Sequence, residues 1–147
     1  MNYGFLESWD AFLPRAGGHV VAIFGGGGKT SLLRAAAEAL WRGGTPVVVT
    51  TTTRTEPLDW PGLQVVDWEE FGAGVPASAF AGGAPLGGLL CVRRGFLAEG
   101  KWQGLAPEEV GELARRLPER VVLVEADGSG GLPVKLHRPD EPVWPRP

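Results

Sequence analysis

Hydrophobic residues in this chain fall into short continuous runs that are separated by amphipathic stretches. The clearest runs are Val20–Phe24, Val47–Val49 and Val121–Val124, and weaker ones occur at Leu63–Val66 and Leu89–Val92. Apolar runs without polar alternation are typical of parallel strands that are buried on both faces. The pattern therefore predicts an α/β fold with a mostly parallel β-sheet flanked by helices.

Two stretches between these runs have helical periodicity. The first begins at Lys29, and Gly43 ends it because glycine adopts the C-terminal cap conformation easily. Its predicted buried stripe consists of Leu33, Ala36, Ala37, Leu40 and Trp41. The second begins at Pro107, a favourable first helical residue, and ends before Pro118. We also predict a right-handed βαβ unit. It consists of the strand Val20–Phe24, the glycine turn, the helix that begins at Lys29 and the strand Val47–Val49.

The remaining segments are less regular. A short helix is expected before Pro14, a loop over residues 72–88, and a short helical turn through Trp68 and Phe71. Lys101–Gln103 is expected to be the hairpin partner of the strand Leu89–Val92. We predict one nucleotide-binding α/β domain over residues 1–147, with an irregular proline-rich segment from about residue 132.

Composition narrows the class of protein. The net charge of −3 argues against nucleic-acid or membrane partners, which favour basic surfaces. The one cysteine, Cys91, excludes an intrachain disulfide and lies in an apolar run, so we expect it in the core. No apolar stretch is long enough to span a bilayer, and residues 1–14 do not resemble a signal peptide. We expect a cytoplasmic protein.

The most specific motif is a glycine loop between the first strand and the first helix. It consists of Gly25, Gly26, Gly27, Gly28, Lys29, Thr30 and Ser31. Glycines let successive backbone N–H groups surround a phosphate, and the helix N-terminus adds positive potential. Lys29 can reach the β- and γ-phosphates, and the Thr30 hydroxyl can bind Mg²⁺. The loop predicts a nucleoside triphosphate, ATP or GTP, with Mg²⁺ as cofactors.

The loop is shorter than the usual eight-residue form, because Ile23 stands where the first glycine would be. The short Gly-x-x-Gly-Lys-Thr form also occurs in peptide-ligase-type ATP enzymes of the cell wall. A flexible hinge would also be glycine-rich, but the buried strand before the loop and the amphipathic helix after it favour phosphate binding. No guanine-specifying Asn-Lys-x-Asp segment occurs, which favours ATP or loose base specificity.

Polar residues follow two of the predicted strands, where ligands bind in parallel sheets. Thr52, Thr53 and Arg54 follow the second strand and are candidates for contacting phosphate or metal-bound water, although threonine also favours strand ends. Glu125 and Asp127 follow the last strand and are candidates for holding Mg²⁺ or orienting an attacking water. Together with Lys29 they are the predicted catalytic residues. The alternative interpretation of the two acidic residues is that they only begin a solvent-exposed loop.

Candidates outside these motifs are weaker. Lys135 and His137 lie in the proline-rich segment, which could fold over the site or bind a partner. Trp60 and Trp144 each lie beside prolines and could line a binding surface.

Three segments together resemble the YqeC family, whose members are described as selenium-dependent hydroxylase accessory proteins. The segments are Gly25–Ser31, Val49–Thr53 and Val124–Ser129, the last followed by Pro133–Lys135 and Glu141–Val143. The resemblance implies a P-loop NTPase-like fold and a supporting role in maturing molybdenum hydroxylases that carry labile selenium. Lys29 and Thr30 would match the family's phosphate loop. Glu125, Asp127 and Lys135 would match its later motifs, with Lys135 as a further cofactor-binding residue.

The chain departs from the family pattern at one position and in length. Asp140 stands where the family's His-Glu-Pro-Val motif has histidine. Family members are also longer, so the expected alternatives are a degenerate homologue, a truncated product or one half of a split protein.

Three functions stay open at this point. The leading one is a slow NTPase whose partner is a molybdenum hydroxylase client. The second is a nucleotide- or anion-binding module without turnover, and the third is a small-molecule ligase or kinase that uses a short P-loop. A homodimer is compatible with a P-loop protein of this type.

Overall fold

The strands and helices follow the apolar runs of the sequence closely. The structure, a computed structural model, describes residues 13–74 and 89–126. In chain order the elements of the described part are β1 (Val20–Ile23), α1 (Lys29–Arg42), β2 (Val47–Thr51), β3 (Leu63–Asp67), α2 (Trp68–Gly72), β4 (Leu89–Arg93), β5 (Gly95–Phe96), β6 (Trp102–Gln103), α3 (Pro107–Arg116) and β7 (Val121–Glu125).

Five of these strands form one parallel sheet in the order β1–β7–β2–β4–β3. β7, the last strand of the described residues, lies between β1 and β2. Its final residue, Glu125, is in register with Ile23 of β1 on one side and with Thr51 of β2 on the other. The strand order therefore brings the end of β7 beside the glycine loop that follows β1.

Alternate residues of the central strands pack on opposite faces of the sheet, as strand geometry requires. The face covered by α1 buries Ile23, Leu33, Ala36, Ala37, Leu40, Val47, Val49, Trp60, Leu89, Cys91, Trp102, Val121 and Leu123. The face covered by α2 and α3 buries Val48, Val66, Phe71, Leu90, Val92, Leu105, Val110, Leu113, Leu117, Val122, Val124 and Ala126. Both faces of the sheet are covered, which explains the unbroken apolar runs. The predicted α/β class with a mostly parallel sheet is confirmed.

The helices begin and end as their sequences predict. One residue of the predicted buried stripe of α1 is, however, exposed. Trp41 of α1 is 39% exposed, although its neighbour Leu40 is buried in the core. At the start of α3, the Glu109 carboxylate accepts a hydrogen bond from the Ala106 backbone N–H at 2.8 Å. This contact satisfies one N–H group that the helix leaves without an internal acceptor.

Two further sequence-based predictions are wrong. Lys101–Gln103 does not pair with β4, because β4 is a central strand between β2 and β3; β6 pairs instead with β5 in a two-stranded antiparallel hairpin. Trp60 does not line a surface, since it is 9% exposed and packs in the core on the α1 face. The predicted N-terminal helix before Pro14, most of the 72–88 loop, His137 and Trp144 lie outside the described residues. Within the described residues, no helix has the length and apolar character to cross a membrane.

Candidate functional site

The glycine loop between β1 and α1 adopts a conformation that requires glycine at two positions. Gly25 has a φ of 126° and Gly28 a φ of 85°, values that side-chain-bearing residues rarely adopt. A Cβ at either position would point into open space, so the backbone angle, and not crowding, sets the requirement. Gly28 is the N-cap of α1, and no side chain caps this helix. The loop therefore leads directly into the N-terminus of a 14-residue helix, a favourable position for an anion.

Lys29 lies across this loop. Its side chain is buried, with 5% of the residue exposed, and its Nζ donates a hydrogen bond to the Gly25 carbonyl oxygen at 2.9 Å. An ammonium has three N–H donors, and this bond uses one of them. The positive charge is therefore held over the loop by the loop's own backbone.

Thr30 and Glu125 bring an alcohol and a carboxylate together. The Thr30 hydroxyl donates to Glu125 Oε2 at 3.0 Å, although the two residues are 95 positions apart in the chain. Glu125 is 7% exposed. Strand alternation directs it to the α1 face, since Val121 and Leu123 pack there. Adjacent oxygen atoms of this kind suit Mg²⁺, which prefers oxygen ligands and binds few protein groups.

The end of β2 is fixed to the end of β7 beside this pair. The Glu125 carbonyl oxygen accepts a hydrogen bond from the Thr51 hydroxyl at 3.0 Å and from the Thr52 backbone N–H at 3.1 Å. The Thr51 hydroxyl oxygen also accepts from the Thr53 backbone N–H at 3.1 Å. Thr51 was not among the predicted candidates. Counting alternate residues from Val47 and Val49 would have indicated that Thr51 faces α1.

The predicted site residues fall into three groups. Lys29, Thr30 and Glu125 come together with the glycines of the loop, and the Thr52 backbone joins them through Glu125. Arg54 lies on the exposed surface, where its guanidinium contacts the Glu99 carboxylate at 3.3 Å, and Ser31 is also exposed. Asp127 and Lys135 lie outside the described residues.

A pocket of about 290 Å³ adjoins the end of β2. It is lined by Thr52, Thr53, Arg54, Arg94, Gln103, Gly104, Leu105, Ala106 and Pro107. Sequence reasoning missed Arg94, although it follows β4 just as Glu125 ends β7, and the same rule about strand ends would have found it. Gly104 approaches β2 closely, since a Cβ there would lie 2.5 Å from the Thr51 carbonyl oxygen.

Comparison with known proteins gives the family. The family model described as "YqeC protein" matches residues 21–147, which include the glycine loop, the end of β2 and Glu125. The chain belongs to the YqeC family. One curated member, "Uncharacterized protein YqeC" of Escherichia coli (strain K12), is 44% identical over 48 residues. That alignment covers 33% of this chain and only 19% of the relative. No solved structure gives a significant match to the chain.

The matched residues 21–147 contain every described residue of the candidate site. No group of three or more His, Cys, Asp or Glu side chains suited to a metal ion occurs in residues 13–74 and 89–126.

Proposed function

We propose that this YqeC family member binds a nucleoside triphosphate with Mg²⁺ at Gly25–Ser31 and hydrolyses it slowly, in a P-loop NTPase-like fold. One observation supports the proposal most strongly. The Lys29 ammonium lies over the glycine loop while the Thr30 hydroxyl contacts the Glu125 carboxylate at the same edge of the sheet. A cation, a metal-ligand pair and a helix N-terminus are the groups that a triphosphate requires.

Each residue of the site has a distinct role in this proposal. Lys29 neutralises the β- and γ-phosphates, and the loop backbone holds Lys29 in place through the Gly25 carbonyl. Thr30 and Glu125 would hold Mg²⁺, with Asp127 as a further candidate ligand or water-orienting group. The metal would neutralise the charge on the phosphate oxygens. Catalysis would then come from positioning and charge neutralisation.

Hydrolysis by the isolated chain should be slow. Arg54 is the predicted charge-neutralising arginine, but its side chain is 71% exposed and pairs with Glu99. An arginine that reaches the phosphates accelerates hydrolysis by several orders of magnitude, whether it comes from the chain or from a partner. We therefore propose that docking of a client protein stimulates turnover.

The proposed pathway comes from the family resemblance. It is the maturation of selenium-dependent molybdenum hydroxylases, with such an enzyme as the client.

The metal part of the proposal is tested by Thr30→Val, which replaces the hydroxyl with a methyl group of similar size. We expect Mg²⁺ to tighten ATP binding to the natural chain. In the variant, the factor by which Mg²⁺ lowers the dissociation constant of ATP should be about tenfold smaller. Isothermal titration calorimetry with Mg²⁺ or with EDTA measures the difference. Thr45→Val is the control, because the Thr45 hydroxyl donates to the Arg15 carbonyl oxygen at 3.3 Å and lies before the start of β2, at the opposite end of this strand from Thr51. An equal Mg²⁺ effect in Thr30→Val and the natural chain would contradict the proposed metal site.

A further inference from the structure

The pocket beside the end of β2 is separate from the phosphate loop. None of residues 25–31 is among its nine lining residues, which come from the end of β2, the β5–β6 hairpin region and the start of α3. Its volume of about 290 Å³ is at the small end of the range for ligand pockets. It therefore suits a small molecule and not a whole nucleoside triphosphate.

The charged side chains that line this pocket are both arginines. Arg54 and Arg94 line it, whereas their acidic partners Glu99 and Glu109 do not. A guanidinium has five N–H donors in a planar fork, so one ion pair leaves donors for a second oxyanion. The contact between Arg54 and Glu99 is 3.3 Å long, with side chains 71% and 49% exposed. An exposed pair of this kind is weak, and a ligand can displace Glu99 from it.

Neutral polar groups complete the lining. Thr53 and Gln103 are lining residues whose side chains carry a hydroxyl and an amide. The Thr53 hydroxyl also lies 3.2 Å from the Thr51 hydroxyl. The N-terminus of α3 contributes less, because the Glu109 carboxylate already accepts from the Ala106 N–H. The arginines therefore dominate the chemistry of the pocket.

We propose that this pocket binds a small oxyanion, a phosphate or carboxylate compound, as a second ligand next to the nucleotide. The two sites meet at the end of β7, because the pocket residue Thr52 donates its backbone N–H to the Glu125 carbonyl. Binding of the anion depends only on the pocket, whereas its place beside a bound nucleotide rests on the proposed nucleotide site.

The test uses the 147-residue chain carrying Lys29→Ala, so that the phosphate loop does not compete for the anion. Inorganic phosphate and malonate are titrated separately, and ¹H–¹⁵N NMR spectra follow the backbone amides. We expect saturable shifts at Gly104, Leu105 and Ala106. Shifts with phosphate alone indicate a phosphate compound, and shifts with malonate alone indicate a carboxylate. Shifts confined to residues 25–31, or no saturable shift with either anion, would overturn the proposal.

Matched arginine variants test which side chains bind the anion. Arg54→Ala and Arg94→Ala should each weaken binding about tenfold. Arg42→Ala is the control for Arg54, since Arg42 is 75% exposed and 3.4 Å from Glu38. Arg116→Ala is the control for Arg94, since Arg116 is 41% exposed and 2.7 Å from Glu112. Equal weakening in the controls would show non-specific charge attraction and overturn the proposal.

Glu99→Gln removes the carboxylate that competes for Arg54, so it should tighten anion binding by up to about fivefold. Glu56→Gln removes the same charge from a pair with Lys101 that does not line the pocket, so equal tightening in this control would show a passive charge effect and not displacement of Glu99. Absence of ATP binding by the natural chain, with pocket shifts present in Lys29→Ala, would contradict the proposed function alone. ATP binding by the natural chain without pocket shifts in Lys29→Ala would contradict the pocket alone.

Discussion

At the scale of single residues, burial decides the chemistry of Cys91. The residue is 2% exposed in the centre of β4. Burial raises the pKa of its thiol from 9.0 to about 12, and the nearby Arg93 charge offsets only part of this effect. The thiol is therefore protonated at neutral pH and is a poor nucleophile. This supports the sequence-based interpretation of Cys91 as a core residue.

The same pKa shift predicts how stability changes in base. Between pH 9 and 12 the thiol of the unfolded chain loses its proton, whereas the thiol of the folded chain keeps it. The contribution of the thiol to the free energy of unfolding is therefore fully present below pH 9 and falls as the pH rises through this range. Cys91→Ala removes this contribution. Denaturant unfolding at pH 8 and 10.5 should show a free energy of unfolding that falls more steeply in the natural chain, by about 1 kcal/mol per pH unit. Parallel loss in both proteins would contradict the assigned environment of Cys91.

Some site residues could be predicted from the sequence because a local pattern defines them. Lys29 and Thr30 follow four glycines, and Glu125 ends an apolar run, so each was identified without knowledge of its neighbours. Thr51 and Arg94 were missed because their roles depend on contacts across the sheet. Thr51 matters through the Glu125 carbonyl, and Arg94 through a pocket whose other walls are distant in the chain.

At the scale of elements, the β5–β6 hairpin is held against the end of β2. The backbone N–H of Leu105 donates to the Thr51 carbonyl at 2.8 Å, and Thr55 and Trp102 exchange two backbone hydrogen bonds. The sequence predicted a hairpin near Gly100 but assigned the wrong partner strand. An apolar run such as β4 does not reveal that both of its edges are already occupied by parallel strands.

Gly104 allows this close approach, and its replacement provides a test. In Gly104→Ala the Cβ would lie 2.5 Å from the Thr51 carbonyl oxygen and 2.7 Å from the Thr53 nitrogen, so the backbone must shift. We expect a loss of about 1–3 kcal/mol in the free energy of unfolding. Gly72→Ala is the control, because a Cβ there meets nothing within 4 Å. Denaturant unfolding measures both, and equal stability of the two variants would contradict this packing.

At the scale of the whole molecule, the strand order positions the candidate site. β7 lies between β1 and β2, so the Glu125 carboxylate contacts the helix that follows the glycine loop. The sequence predicted the α/β class and the main strands, since apolar runs and glycine turns are local features. It could not predict the strand order, because a fully buried run is equally compatible with several positions in a parallel sheet.

The central claim is that the glycine loop and Lys29 bind a nucleoside triphosphate. The most direct test is equilibrium binding of ATP and GTP, with Mg²⁺, to the natural chain, to Lys29→Ala and to Lys101→Ala. Lys101 is the control lysine, since it is 45% exposed and pairs with Glu56. We predict Mg²⁺-dependent binding that is weakened at least about tenfold in Lys29→Ala and unchanged in Lys101→Ala. Equal affinity of Lys29→Ala and the natural chain, or no binding of either nucleotide, would contradict the claim.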